Sequence, residues 1–209
     1  MSNIALEDVV NNCNTGDLIL YSTSKWYSKI IEYFTGSKFS HISIILKNPI
    51  YLDKQLKGLY ILESGYEPTP DPTDGKFKFG VQVTKLSDVI KMYKDSNMGS
   101  LYYRKLTCER KDEFIDTIKN TYTVVKNKPY DITIFDWIKA EFKLKIGNEN
   151  KTSEFWCSAL VAFVYFKLGF LTNIRWTIIS PQEFSYFENS EDLKFLNCKL
   201  HPEQFINLS

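Results

Sequence analysis

The feature that most constrains the fold is an unbroken apolar run late in the chain, Ala159 to Phe166 (ALVAFVYF). It lies in a segment with helical character, from about Glu154 to Leu168, that is apolar on nearly every face. A helix without a polar face has to be buried among other elements. The run is less than half as long as a membrane-spanning helix, so the sequence predicts a buried central helix and no transmembrane segment.

Short apolar runs separated by turn residues characterise the first half of the chain. They predict strands over about residues 17–21, 41–46, 59–63, 79–83 and 101–104. The last of these is expected at an edge of the sheet, and the third is expected to end at Ser64-Gly65. Helices are predicted at about 24–35, 87–93 and 112–125, with Thr152 or Ser153 as the cap of the late apolar helix. A sheet followed by helices is typical of an α+β fold.

Composition and charge indicate the number of domains and disfavour nucleic-acid binding and secretion. With 209 residues, 44% of them apolar, the chain predicts one domain over residues 1–209. A net charge of +1 gives no electrostatic footprint for nucleic acid. The first residues lack the apolar core of a secretory signal, so we expect a cytoplasmic protein that is not secreted. Abundant Lys, Asn, Ile and Tyr are typical of AT-rich genomes, such as those of large DNA viruses, parasites and low-GC bacteria.

The four cysteines are scattered without a CxxC pair, which favours free thiols in a reducing compartment. Cys157 falls in the first turn of the predicted late helix. There the helix dipole and unpaired amide hydrogens favour thiolate over thiol, so Cys157 is a candidate nucleophile. The alternative interpretation is a small hydrophobic residue in the core.

Only two histidines occur in the chain. His201 lies in a polar tail, whereas His41 opens a predicted strand and is the better candidate for a general base that accepts the thiol proton. A third group has to orient the imidazole, and Glu63 at the end of the next predicted strand is well placed. The sequence leaves two alternatives open: Asp17, which could instead cap the Gly16 turn, and Glu154, which could complement the helix N-terminus.

Four segments, in this order, carry a resemblance to a known family: TGDLI at 15–19, SHISI at 40–44, LES at 62–64 and WCSALV at 156–161. Tyr130-Asp131 and Ser180-Pro181 match two minor landmarks. The chain resembles the permuted NlpC-type papain-like cysteine hydrolases, which include YiiX-like and poxvirus-related members. The likeness covers about residues 15–185, and histidine precedes cysteine as that group implies.

The resemblance implies a permuted papain-like fold, in which an antiparallel sheet or small barrel packs against helices and the catalytic cysteine lies at a helix N-terminus. It implies Cys157 as nucleophile, His41 as base and Glu63 as the orienting group, with no metal and no cofactor. It further implies an oxyanion and substrate pocket lined by four residues: Asp17, Tyr21, Trp156 and Ser158.

The expected activity is hydrolysis of an amide or ester through a thioester acyl-enzyme, on a peptide, an isopeptide or an acylated small molecule or lipid. Two alternatives remain. One is an inactive binding module on the same fold, and the other is a lipid acyl hydrolase or acyltransferase. The FWCSALV segment departs from the NCEHF-type sequence of the lecithin:retinol acyltransferase-like branch, which disfavours lipid acyl transfer, and Ala159 replaces the Glu of the usual CSELV.

Overall fold

The computed structural model describes residues 1–23, 38–66, 68–126, 156–172, 179–187 and 193–208. Within these ranges it has an α+β fold with four helices, eleven strands and one 3₁₀ turn. The helices are α1 (Leu6–Asn12), α2 (Leu86–Ser96), α3 (Asp112–Val125) and α4 (Trp156–Lys167), and the 3₁₀ turn is Pro181–Phe184. The strands are β1 (Asn3–Ala5), β2 (Leu18–Thr23), β3 (His41–Lys47), β4 (Leu59–Tyr66), β5 (Phe79–Lys85), β6 (Gly99–Arg104), β7 (Leu106–Cys108), β8 (Leu171–Thr172), β9 (Lys194–Phe195), β10 (Cys198–Leu200) and β11 (Gln204–Asn207).

Seven strands form the main sheet, in the order β1-β11-β6-β2-β3-β4-β5. All neighbours pair antiparallel except β1 and β11, which are parallel. The sheet is therefore mixed, and the expectation of an antiparallel sheet is wrong at that edge. Two further ladders, β7 with β10 and β8 with β9, have two strands each.

Both faces of the main sheet are covered, because successive side chains of a strand point to opposite faces. One face carries Leu18 and Leu20 of β2 and packs in the same cluster as α3 and α4. The other face carries Ile19 and Tyr21 and packs in a cluster with residues of α1 and α2. Two separate apolar cores result, one on each side of the sheet.

Helix α4 has the burial that its composition predicts. Every side chain from Cys157 to Tyr165 is buried, and the helix packs across β3 and β4. Deleting a large side chain from such a packed helix, as in Phe163→Ala, costs about 3–5 kcal/mol of folding free energy. No helix in the described part of the chain is both long and apolar enough to cross a membrane.

Two expectations about the ends and edges of strands require correction. Strand β6 is not at an edge, because the C-terminal strand β11 pairs with its outer side. Strand β4 does not end at Ser64-Gly65 but continues to Tyr66, because β5 pairs with it through Phe79. Four other expectations fall outside the described residues: the helix at 24–35, the Thr152 or Ser153 cap, Glu154 and the Tyr130-Asp131 landmark.

Candidate active site

His41 is the first residue of β3, at one end of the sheet. It pairs with Tyr21 on β2, whose ring meets the imidazole edge-on with 4.9 Å between ring centroids. The Tyr21 hydroxyl is hydrogen-bonded to Ser43 at 2.8 Å, which holds the tyrosine ring in place. The His41 side chain is 23% exposed, so solvent still reaches the imidazole.

Glu63 lies on β4, the next strand of the sheet. Ile44 pairs with Leu62, and the same register continued along the two strands places Ser43 opposite Glu63 and His41 opposite Gly65. The Glu63 carboxylate accepts a hydrogen bond from His41 Nε2 through Oε2 at 2.8 Å. Its side chain is 1% exposed. The strand pairing thus brings together the two residues that the sequence proposed as base and orienting group.

Cys157 approaches the same imidazole from helix α4. It is the second residue of the helix as described and is 2% exposed. Its side chain lies close enough to His41 to raise the pKa of the imidazole, by its charge and by hydrogen bonding. Because Nε2 faces Glu63, Nδ1 is the ring nitrogen left for the sulfur. One imidazole therefore bridges a thiol and a carboxylate.

The electrostatics favour a protonated imidazole. Burial alone lowers the pKa of His41, but the charge and hydrogen bond of Cys157, followed by those of Glu63, outweigh it. The pKa of His41 is therefore raised well above its usual value of 6.5. A protonated imidazole therefore lies between the Cys157 sulfur and the Glu63 carboxylate.

Two residues that support this arrangement were missed in the sequence. Gly65 faces the imidazole, and a Cβ at this position would lie 3.4 Å from His41 Cε1, so a larger side chain would crowd the ring. Gln82, fully buried on β5 opposite Glu63, donates from Nε2 to the Gly65 carbonyl at 3.0 Å. The signal for Gln82 is a polar residue in the interior of an otherwise apolar strand, on the face that Glu63 shares.

Some buried polar atoms around Glu63 lack a hydrogen-bond partner within the described residues. Glu63 Oε1 and Gln82 Oε1 are both buried, and neither has a hydrogen-bond partner in the described part of the chain. Native proteins rarely leave such atoms unpaired, and the exceptions often lie at functional sites. Only one of the two Glu63 oxygens is therefore committed, and its partner is His41.

Asp17 lies away from this cluster. It precedes Tyr21 by four residues, about 13 Å along an extended chain, and is fully buried. Its carboxylate accepts hydrogen bonds from Asn14 N, Tyr103 Oη, Leu106 N and Arg110 Nη2. Burial raises the pKa of Asp17, although these donors oppose the rise. These contacts agree with the alternative interpretation, a cap of the Gly16 turn, so we do not propose Asp17 as a pocket residue.

The remaining expected pocket residues have mixed positions. Tyr21 touches the imidazole, as described above. Ser158 is buried, and its hydroxyl donates to the Ile179 carbonyl at 2.9 Å, a contact that ties α4 to the chain before the 3₁₀ turn. The side chain of Trp156 lies outside what the structure describes. Any role of Trp156 and Ser158 in binding an oxyanion stays a prediction.

The other thiols differ from Cys157 in their surroundings. Cys13 is fully buried, and burial raises its pKa to about 11. Burial also raises the pKa of Cys108, and that of Cys198 to about 11. None of the four forms a disulfide. No group of three or more His, Cys, Asp or Glu side chains in the described ranges is arranged to hold a metal ion.

No family model matches the chain, whereas a viral protein and solved structures are similar to it. It is 32% identical over 136 residues to an uncharacterized protein, R372, of Acanthamoeba polyphaga mimivirus, a match that covers 58% of this chain. The match covers 52% of that relative, so the chain spans about half the length of the viral protein. The crystal structure of the metalloprotein yiiX from Escherichia coli O157:H7 is similar with a TM-score of 0.43 and 20% identity, over 88% of this chain and 96% of that one.

Proposed function

We propose that this protein is a cysteine hydrolase of the permuted papain-like type, with Cys157 as nucleophile, His41 as general base and acid, and Glu63 as the residue that orients the imidazole. One observation carries the proposal: the His41 ring joins the Cys157 sulfur to the Glu63 carboxylate, with 2.8 Å between Nε2 and Oε2. The three residues come from β3, β4 and α4, which are far apart in sequence and meet at one end of the sheet.

The geometry supports a two-step acyl transfer. In the first step the Cys157 sulfur attacks the carbonyl carbon of an amide or ester, and the carbonyl oxygen carries the negative charge. His41 then donates its proton to the leaving amine or alcohol as the carbon–heteroatom bond breaks, which leaves a thioester on Cys157. In the second step His41 takes a proton from water, the hydroxyl attacks the thioester, and the acid and the thiolate are released.

Glu63 contributes through the imidazole rather than by contact with substrate. Its buried carboxylate accepts from Nε2–H, which directs Nδ1 toward Cys157 and stabilises the imidazolium that forms in each step. Tyr21 and Gly65 restrict the ring from two sides. The imidazole is thereby held for proton transfer before any substrate arrives.

A non-catalytic binding module with the same core is the second candidate, and the 2% exposure of Cys157 favours it. In that case the thiol is a core residue whose contact with His41 has no chemical consequence. The two candidates make opposite predictions about thiol reactivity at mildly acidic pH, where ordinary thiols are protonated.

The test is the alkylation rate of each cysteine by iodoacetamide at about pH 6, read by peptide mass spectrometry. Cys13, Cys108 and Cys198 are internal controls, since burial raises the pKa of all three. The proposal expects Cys157 to react fastest, and His41→Ala to slow it about 100-fold or more. If Cys157 reacts no faster than a free-cysteine peptide, the hydrolase proposal is rejected in favour of the binding module.

A further inference from the structure

Two cysteines outside the candidate active site face each other across a small ladder. Strands β7 and β10 pair antiparallel in a register that sets Cys108 opposite Cys198, Thr107 opposite Lys199 and Leu106 opposite Leu200. Both cysteines are half-buried and pack against the main core. Directly opposed residues of an antiparallel pair point to the same face, so the two sulfur atoms share one side of the ladder.

The hydrogen bonds identify which kind of pair this is. Opposed residues alternate between pairs that exchange backbone hydrogen bonds and pairs that do not. His201 N donates to the Lys105 carbonyl at 2.9 Å, so residues 105 and 201 form a hydrogen-bonded pair. The backbone of Leu106 bonds away from the ladder instead, with its N–H on Asp17 and its carbonyl on Arg110. Leu106 and Leu200, next to the hydrogen-bonded pair, are therefore a non-hydrogen-bonded pair. Two residues further along the ladder, Cys108 and Cys198 form another non-hydrogen-bonded pair.

This distinction decides whether the two sulfurs can be joined. The Cα atoms of a non-hydrogen-bonded pair lie about 4.5 Å apart, and side chains approach most closely there. Disulfides in proteins span Cα separations of about 4.4–6.8 Å. A bond between the two cysteines therefore fits the ladder without a shift of the backbone. Cys108 also acts electrostatically on Cys198 and contributes to the raised pKa of Cys198.

We propose that Cys108 and Cys198 are a dithiol modification site that reacts with small-molecule disulfides, of which oxidised glutathione is the example, to form a cross-strand disulfide. The thiolate of one cysteine attacks the reagent, forms a mixed disulfide and releases one molecule of reduced thiol. The second cysteine then attacks the protein-bound sulfur and releases the second. The two cysteines lose two electrons to the reagent, and their two protons go to the two released thiols.

Cys108 is the better first nucleophile. Burial raises the pKa of both cysteines, but Arg110 opposes the rise at Cys108, and no cation does so at Cys198. The resulting bond would close a loop that contains α3 and α4. It would also link β7 to β10, the strand that precedes β11. A cross-link that closes so long a loop restricts the unfolded chain strongly. The site does not depend on the proposed hydrolase activity.

The test uses the full chain equilibrated with oxidised glutathione under non-denaturing conditions. All proteins in it carry Cys157→Ala, because a reactive Cys157 would itself take up glutathione, and the protein with no further change serves as the wild type. We expect the intact mass to fall by two hydrogen atoms, a non-reduced peptide map to join Cys108 to Cys198, and the melting temperature to rise by about 10 °C. Dithiothreitol should reverse all three changes. Cys13→Ser is the matched control and should still form the bond, because Cys13 lies in the other core.

Single variants keep the proposal falsifiable. In Cys108→Ser and in Cys198→Ala the remaining cysteine should retain one glutathione, because no second thiol resolves the mixed disulfide. If the wild-type protein instead carries glutathione on both cysteines, or links two chains, the proposed pairing is overturned. Retention of both free thiols under conditions that oxidise a control dithiol peptide would overturn it as well.

Discussion

Two buried carboxylates lie toward opposite ends of the paired strands β2, β3 and β4, and they differ in how their oxygen atoms are used. Both oxygens of Asp17 are occupied, by Asn14 N and Tyr103 Oη on Oδ2 and by Leu106 N and Arg110 Nη2 on Oδ1. Glu63 accepts from His41 on Oε2, whereas its Oε1 has no partner in the described part of the chain.

The difference separates the structural role of Asp17 from the chemical role that we propose for Glu63. Four hydrogen bonds fix Asp17 to Asn14, Tyr103, Leu106 and Arg110. The donor to Glu63 is the His41 imidazole, a group that can take up and release a proton. We infer that a buried acid surrounded by fixed donors maintains the fold, and that a buried acid paired only with a titrating group is available for catalysis.

Of the changes at the two carboxylates, Asp17→Ala should have the largest effect on stability. It removes the acceptor of two backbone amides and of the Tyr103 hydroxyl, together with the ion pair to Arg110, and should lower the free energy of unfolding by about 3 kcal/mol. Urea unfolding followed by circular dichroism measures this loss. The alkylation rate of the folded variant at Cys157 should stay within about twofold of wild type. A tenfold fall in that rate would mean that the two ends of β2 are coupled.

Glu63→Gln should have the reverse profile. Glutamine keeps the shape and one acceptor oxygen but loses the charge that stabilises the imidazolium, so alkylation of Cys157 at about pH 6 should slow about tenfold. The free energy of unfolding should change by about 1 kcal/mol or less. Asp17→Asn is the matched control, because it makes the same change from acid to amide at the carboxylate whose two oxygens are both hydrogen-bonded. A larger stability loss from Glu63→Gln than from Asp17→Asn would reverse the two assignments.

The smallest expected effect is a shift in titration. The chain has only two histidines, so NMR should resolve both. Cys157 and Glu63 raise the pKa of His41 well above 6.5, whereas partial burial and then Lys199, Lys105 and Arg104 lower the pKa of His201 below it. Cys157→Ala should lower the pKa of His41 more than Glu63→Gln does, because Cys157 is the stronger of the two influences.

The sign of this shift also predicts how stability varies with pH. The pKa of His41 in the fold exceeds that in the unfolded chain, so protonated His41 stabilises the fold. That contribution is complete below about pH 6.5 and is lost as the pH rises through the folded value. A His41 pKa at or below that of His201 would contradict the bridging arrangement.

The sequence predicted local structure well where one strong pattern dominated. The apolar run Ala159–Phe166 indicated the buried helix, and the run after His41 indicated β3 almost to its last residue. The edge position of β6 was wrong because its outer neighbour, β11, comes from the other end of the chain. Pairing between distant strands depends on the whole fold, and no local pattern encodes it.

The candidate site was predictable in part for the same reason. His41 begins a strand and the sequence predicts Glu63 at the end of the next one, so strand order along the chain made their proximity a reasonable expectation. The sequence could not decide between Glu63 and Asp17 as the group that orients the imidazole. The donors that occupy the Asp17 oxygens include Tyr103, Leu106 and Arg110, which are all far away in sequence. Gln82 was missed because a single buried amide in a strand has many possible partners.

The most direct test of the proposed chemistry is intact-mass spectrometry of the protein after exposure to a panel of activated esters, thioesters and amides. The matched background is Cys108→Ser with Cys198→Ser, which removes the two half-buried thiols outside the site. The proposed chemistry predicts a single acyl adduct that peptide mapping places on Cys157, that is absent in Cys157→Ala, and that is released by hydrolysis more slowly in His41→Ala. The absence of any adduct on Cys157 across the panel, with the protein folded, would contradict it.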